Sequence, residues 1–237
     1  MANDEYRPIT LEHRALTRRS IRLYGSDHQL DALDQEELNI FNAQFPTLLA
    51  APTSVTRNIQ LDRLEAYVLA IRAVKKQLNG VAFRGLNPSD TELGFQPIRP
   101  QFTKLANAYR TNWQQALAAN TWTNFLSAAA TTGFALGSDF GIVCTHVTSL
   151  VTPRPFISEM QQKVDRAELV PIDVRDVIIG DNENGVAVYP IPTALLLPKA
   201  TWYMQIKADA AGTEELKLGG LVIGLGRALK ETTPTWT

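Results

Sequence analysis

The second half of the chain is a close succession of short apolar segments, and this pattern constrains the fold more than any other feature. After Asp139 each segment is rich in β-branched or aromatic residues and is bounded by Gly, Pro, Asn or Asp. No helix-length periodic stretch separates the last four, so they suit antiparallel pairing in a sandwich or barrel. The segments are FGIVCTHVTSLV, ELVPIDVRDVIIG, NGVAVYPI, TALLLP, ATWYMQIKAD and LKLGGLVIGLGRAL.

The last of these segments is rich in glycine, which raises the alternative of a phosphate-binding loop. A dinucleotide fingerprint needs a long helix after its glycines, but the eight residues after Leu229 include Pro234 and leave no room for one. No Gly-Lys-Ser/Thr occurs, and the apolar run is too short to cross a bilayer. The segment is therefore predicted to be a strand, with Leu221, Ile223 and Leu225 on one face and Val222, Gly224 and Gly226 on the other.

Residues 1–30 are predicted to form an N-terminal arm that precedes one domain over residues 31–237. Five arginines stand between Arg7 and Gly25 against a single acid, Glu12. Apolar side chains are too sparse for this segment to fold alone, so it is expected to lie against a partner. Basic arms also contact nucleic-acid phosphates, although the contact with another subunit is the favoured role. The candidate contact residues are Arg14, Arg18, Arg19 and Arg22.

Helical insertions are predicted in the N-terminal half. An acidic start and recurring apolar residues indicate a short helix over 31–44. Residues 59–78 favour a helix that ends at Asn79-Gly80, although alternation beginning at Ile59 leaves a strand open. The apolar positions of this helix are Leu61, Leu64, Val68, Ile71, Val74 and Leu78. A third helix is predicted in FTKLANAYRTNWQQALAAN, with Phe102, Leu105, Tyr109, Trp113 and Leu117 along one face.

Residues that often carry chemistry do not form a convincing site. Cys144 and His146 are two apart on a predicted strand and would share a face, but the remaining histidines, His13 and His28, are distant in sequence. We assign packing and surface roles to both. The carboxylates Asp173, Asp176, Asp181 and Glu183 are better explained by turns than by calcium. The sequence therefore predicts no catalytic residue, no metal, no cofactor and no enzyme activity.

Five aromatic residues could stack on sugars at the surface of a sandwich, but they are scattered along the chain. Core positions and contacts between subunits are commoner roles for such side chains. The five are Trp113, Trp122, Trp202, Tyr203 and Trp236, and the candidate subunit-contact aromatics are Tyr24, Trp202 and Trp236.

The composition is that of an ordinary globular protein. Of 237 residues, 45% are hydrophobic and 20% are charged, which allows one large domain with a sizeable core. The net charge of −1 excludes a global attraction to nucleic acid, and the single cysteine excludes an intrachain disulfide. The N-terminus has no apolar run typical of a secretory signal, and no stretch predicts a transmembrane helix.

Two regions together resemble viral coat proteins with a β jelly-roll fold. SVTRNIQLDRLEAYVLAIRAV is similar to an early outward-facing strand of such proteins. YPIPTALLLPKATWYMQIKAD, followed by LKLGGLVIGLGRAL, is similar to their closing strands. The resemblance implies a jelly-roll-like antiparallel sandwich, and it implies a strand where the periodicity of residues 59–78 favours a helix.

The resemblance implies a self-assembling capsid subunit of a bacterial or archaeal virus. Its partners would be copies of itself and other virion proteins, with weak genome contact through the arm. Its location would be the virion, assembled in the host cytoplasm. The alternative is a binding module, either a viral fibre or tail component or a carbohydrate-binding β-sandwich.

Overall fold

The structure, a computed structural model, describes residues 20–23, 26–29, 57–149, 157–168, 171–176, 179–181 and 186–231. In these ranges the protein is mainly β, and every pairing between strands is antiparallel except that of β3 (Phe83–Gly85) with β4 (Leu93–Pro97). The fold class predicted from the short β-branched segments is therefore confirmed at the level of a mainly antiparallel β protein.

Most strands belong to two sheets. Sheet I has the order β14 (Ile179–Asp181), β15 (Val186–Leu196), β10 (Phe140–Ser149), β17 (Gly212–Leu225), β4 and β3, and β7 (Gln114–Leu117) pairs with the first residues of β17. Sheet II has the order β12 (Ala167–Glu168), β11 (Ile157–Val164), β16 (Thr201–Ala208) and β8 (Trp122–Leu126). In sheet II, β13 (Ile172–Asp173) also pairs with β11, and β9 (Phe134–Ala135) pairs with β16.

The two sheets enclose the main hydrophobic core. Along β16 every second residue is buried, beginning with Trp202, and the residues between them point outward. Sheet I contributes Ile142, Leu218 and Val222 to the same cluster. Fully burying side chains of this size stabilises the fold by about 1.5–3 kcal/mol each. The period of two thus decides which residues fill the interior and which face outward.

A second core lies on the outer face of sheet I, beneath helix α1 (Arg57–Gln77). Ile71 and Val74 of the helix are buried in one cluster with Val143 and Ile223 of the sheet. The helix approaches closely because residue 141 is a glycine, where an added Cβ would lie 2.7 Å from Val74 Cγ2.

The helix interpretation of residues 59–78 is confirmed, and the strand implied by the resemblance is wrong. The helix ends as predicted, because Asn79 and Gly80 have φ angles of 61° and 71°. Gly80 N–H donates to the carbonyl of Lys75 at 2.8 Å, which is a common helix C-terminal bond. The helix predicted over 31–44 lies outside the described residues.

The helix predicted in residues 102–120 is wrong. This segment forms a 3-10 helix (Pro100–Phe102), the hairpin β5 (Lys104–Leu105) and β6 (Ala108–Tyr109), and then β7. Its tight turn has positive φ angles at Ala106 and Asn107, and β7 gains backbone partners along β17. Of the predicted apolar face, Phe102, Trp113 and Leu117 are buried but Tyr109 is exposed, so tertiary pairing overrides the local helical spacing.

The remaining described elements are short. Within the predicted arm, β1 (Ser20–Leu23) pairs with β2 (Ser26–Gln29), and β1 lies near β15. A second 3-10 helix spans Val174–Asp176, and α2 (Gly226–Glu231) follows β17 directly. Among the described residues, neither helix combines the length and apolarity that a membrane crossing requires.

Candidate functional site

The candidate contact residues fall mostly outside the described part of the chain. Arg14, Arg18, Arg19, Tyr24 and Trp236 lie outside it. Arg22 belongs to β1, where only the backbone is described.

Trp202 does not fit the contact role predicted for it. Its side chain is fully buried in the main core, and its indole Nε1 donates to Gln162 Oε1 at 3.2 Å. Gln162 in turn donates to the carbonyl of Pro192 at 2.9 Å, which links the two sheets. Trp202 is therefore a core residue of a single chain rather than a contact between chains.

Cys144 and His146 do not share a face, because a β-bulge lies between them. The register of β10 shifts between Cys144 and His146 against both neighbouring strands. Cys144 and Val147 consequently both belong to the main core, whereas the ring of His146 packs over Gly219 on the outer side. Burial raises the pKa of the Cys144 thiol to about 12. This geometry separates the two side chains and gives each a packing role.

The acidic segment around residue 173 is organised by an arginine. Arg175 contacts Asp173 at 2.6 Å and Asp209 at 3.2 Å on the surface. The hydrogen bonds from Arg175 hold the pKa of Asp173 at about 2. The side chains of Asp176, Asp181 and Glu183 lie outside the described set, in which no three His, Cys, Asp or Glu residues are grouped to hold a metal.

The glycine-rich segment is strand β17 as far as Leu225, as predicted, whereas Gly226 is the first residue of α2. The glycines of the segment lie against close neighbours. Ile223 faces α1, whereas Val222 faces the main core. A Cβ added to Gly224 would lie 2.5 Å from Phe140 Cβ, and one added to Gly226 would collide with the Ser89 carbonyl. The glycines therefore allow the chain to pack closely, and β17 pairs along both sides with antiparallel strands.

One polar cluster is buried at the start of β17. Ser149 Oγ donates to Glu214 Oε2 at 2.6 Å, and both residues are fully buried. The nearby Tyr189 hydroxyl is buried and has no hydrogen-bond partner among the described residues. Desolvation, and secondarily the charge of Glu214, raises the pKa of Tyr189, so this phenol stays protonated.

An ordered array of polar side chains covers the outer face of sheet II, which we call the amide face. It consists of the outward residues of β8, β16 and β11. Directly opposed residues in the two ladders form three rows across the strands. The first row is Glu159, Lys207 and Trp122, the second is Gln161, Gln205 and Asn124, and the third is Lys163 and Tyr203.

Hydrogen bonds connect the second row from strand to strand. Gln161 Nε2 donates to Gln205 Oε1 at 2.6 Å, and Gln205 Nε2 donates to Asn124 Oδ1 at 2.9 Å. Asn124 Nδ2 donates to the carbonyl of Ala130 at 2.9 Å. The side chains are therefore held in one orientation before any ligand arrives.

The rows on either side of the amides each contain an aromatic ring. In the first row, Lys207 Nζ lies 2.6 Å from Glu159 Oε1 and 5.9 Å from the centre of the Trp122 ring. In the third row, the Tyr203 hydroxyl lies 2.9 Å from both Asn124 Oδ1 and the Ala130 carbonyl, and donates to one of them. Both rings are partly exposed.

The structure thus brings together only two of the five scattered aromatics. Trp122 and Tyr203 share the amide face, Trp113 and Trp202 are buried, and Trp236 lies outside the described residues. Sequence analysis missed the amides and charged residues of this face. The signal that could have found them is the alternation of polar residues in ISEMQQKV and TWYMQIKA.

A comparison with protein-family profiles gave no match to this sequence, and a comparison with curated proteins gave none either.

Proposed function

We propose that this protein is a self-assembling coat subunit of a bacterial or archaeal virus, built on a jelly roll. The single observation that supports the jelly roll in this proposal is the order of its strands. When β3, β7, β9, β13 and β14 are left aside, the two sheets contain eight strands, which occur in the chain in the order β4, β8, β10, β11, β12, β15, β16 and β17. Sheet I takes the sixth, third, eighth and first of them, and sheet II takes the fifth, fourth, seventh and second. Such an order is expected of two Greek keys wound into one sandwich.

Jelly rolls serve as virus coats, as lectins and as cupin-type enzymes, so the fold alone does not select a function. The interior supports a structural role here, because large apolar side chains occupy it. Trp202, Phe125 and Phe134 are fully buried between the sheets. A cupin-type enzyme would use this interior for its reaction centre.

The N-terminal part of the sequence supports assembly. Fifty-six residues precede α1, and they include the arginines of the predicted arm. In this proposal the arm lies against neighbouring copies or other virion proteins, with a minor contact to the genome. The protein would be located in the virion and assembled in the host cytoplasm, and it would have no enzyme activity.

Electron microscopy tests the proposal directly. The purified chain is examined by light scattering and negative stain, at several protein concentrations and with and without nucleic acid. We expect closed symmetric particles far larger than the 26.2 kDa of one chain. A chain that remains a monomer or small oligomer under all these conditions contradicts the proposal.

A further inference from the structure

We propose that the amide face binds a neutral, extended oligosaccharide. This inference concerns the single folded chain and does not depend on the coat function. It rests on the chemistry that three neighbouring strands present together, and on the rigidity with which they hold it.

The amide row has the hydrogen-bonding capacity that sugar hydroxyls require. Each carboxamide offers two N–H donors and a carbonyl acceptor, and the bonds within the row use only part of this capacity. The Gln161 carbonyl and the second N–H groups of Gln161 and Gln205 take no part in the bonds between the strands. A sugar hydroxyl both donates and accepts hydrogen bonds, so it can pair with the N–H groups or with the carbonyl oxygen of these side chains.

The two aromatic rings are placed for stacking on either side of this row. Trp122 on β8 is opposite Lys207 on β16, and Tyr203 lies four residues before Lys207 on β16. At about 3.3 Å per residue, the rings are offset by about 13 Å along the strands. A ligand that contacts both rings must therefore extend over several sugar units and must cross the amide row between them.

The charges of the face favour a neutral ligand. The amide row at the centre of the face carries no charge, and in the first row Lys207 and Glu159 form an ion pair at 2.6 Å. Lys163 in the third row is the remaining charged residue of the face, so the centre itself has no charge to attract a polyanion such as nucleic acid. A protein partner is also disfavoured, because the centre of a protein interface is typically apolar and here it would have to cover a row of amides.

The face is organised in advance, which lowers the entropy lost on binding. The Tyr203 hydroxyl is fixed by Asn124 or by the Ala130 carbonyl, and Asn124 is itself bonded to Ala130 and Gln205. Ordered side chains on two packed strands need no rearrangement before a ligand binds.

Titration of the protein with soluble hexasaccharides tests the proposal. The probes are hexasaccharides of β-1,4-linked glucose, mannose and N-acetylglucosamine and of α-1,4-linked glucose, followed by calorimetry and tryptophan fluorescence. We expect at least one probe to bind, and to change the fluorescence of the partly exposed Trp122. Trp122→Ala and Tyr203→Ala should each weaken binding about tenfold, as expected for loss of one aromatic contact.

Two variants serve as matched controls. Tyr109→Ala removes another exposed tyrosine, 62% exposed on the β5–β6 hairpin outside the amide face, and should leave the affinity unchanged. Trp122→Phe keeps a ring and should retain most of the affinity. Thermal unfolding checks that each variant is folded. Gln161→Ala keeps both rings and tests the amide row independently, and it should also weaken binding.

Three outcomes would overturn the proposal. The first is that none of the hexasaccharides binds the wild-type protein. The second is that binding is the same after Trp122→Ala, Tyr203→Ala or Gln161→Ala. The third is that Trp122→Ala separates a dimer while no sugar binds, which would assign the face to a contact between copies.

Discussion

At the scale of single residues, the glycines of sheet I determine how closely its parts approach. Gly220 has a φ of 153°, and a Cβ added there would collide with the Val143 carbonyl. We expect Gly220→Ala to lower the free energy of unfolding by about 3 kcal/mol, from backbone strain and overpacking together. Gly80→Ala is the matched control, because Gly80 has a φ of 71° but no atom within 4 Å of the added Cβ. Gly80→Ala should lower the free energy of unfolding by about 1 kcal/mol, from backbone strain alone.

Urea denaturation of both variants separates the two causes. Equal losses in Gly220→Ala and Gly80→Ala would show that backbone conformation alone matters and that sheet I tolerates the added methyl group.

A second residue-scale prediction concerns Cys144 and alkaline pH. The folded protein holds the pKa of this thiol at about 12, against an ordinary value of 9.0. Between these values the unfolded chain binds fewer protons than the folded one, so the free energy of unfolding falls as pH rises from 9 to 12. Below pH 9 both states keep the proton and this effect vanishes. Cys144→Ala should flatten this alkaline decline, as measured by denaturant unfolding at a series of pH values. A decline that is unchanged in the variant would assign it to other groups.

At the scale of elements, helix α1 stabilises the protein through one face. Val74 is fully buried against sheet I, whereas Lys76 is exposed one half-turn away. Val74→Ala should lower the free energy of unfolding by about 2 kcal/mol through lost burial and a residual cavity. Lys76→Ala should change it by less than about 0.5 kcal/mol. Thermal and denaturant unfolding of the two variants provide the comparison, and equal effects would contradict the packing described here.

Local patterns in the sequence predicted some elements and missed others for physical reasons. The strand around Ile223 and the helix that ends before Asn79-Gly80 were predictable, because β-branched content and a C-terminal Asn-Gly are local signals. The segment with Phe102 and Trp113 was not, because its apolar spacing fits a helix while its backbone partners lie on β17. The register shift between Cys144 and His146 could not be predicted either, because a β-bulge depends on pairing with the two neighbouring strands.

At the scale of the whole molecule, the candidate site depends on register. Gln161, Gln205 and Asn124 meet although 44 and 81 residues separate the bonded pairs. Alternation could have predicted which side chains point outward, but only the pairing of β11, β16 and β8 places these amides in one row. The strand order of the sandwich has the same origin, because it arises from contacts distant in sequence.

The arm is the feature whose role depends most on the assembly. Deleting residues 1–25 should leave the sandwich folded, because its strands and α1 lie downstream. In the proposed coat the same deletion should weaken assembly, because the contacts that the arm makes with its neighbours are lost. Circular dichroism measures the fold, and light scattering at matched concentration and salt measures the assembly. A truncated protein that assembles like the wild type would show that the arm is dispensable.

A charge variant separates protein contacts from genome contacts. Replacing Arg14, Arg18, Arg19 and Arg22 with Gln keeps the length of the arm and removes four charges. If the arm contacts phosphates, the salt dependence of nucleic-acid binding should become shallower in this variant. The reason is that a protein with fewer phosphate contacts releases fewer counterions when it binds. We favour the protein contact, since Leu16, Ile21 and Leu23 supply apolar groups within the same segment and the whole chain has a net charge of −1. We therefore expect truncation to reduce assembly more than the glutamine variant does. The reverse order would assign the arm chiefly to the genome.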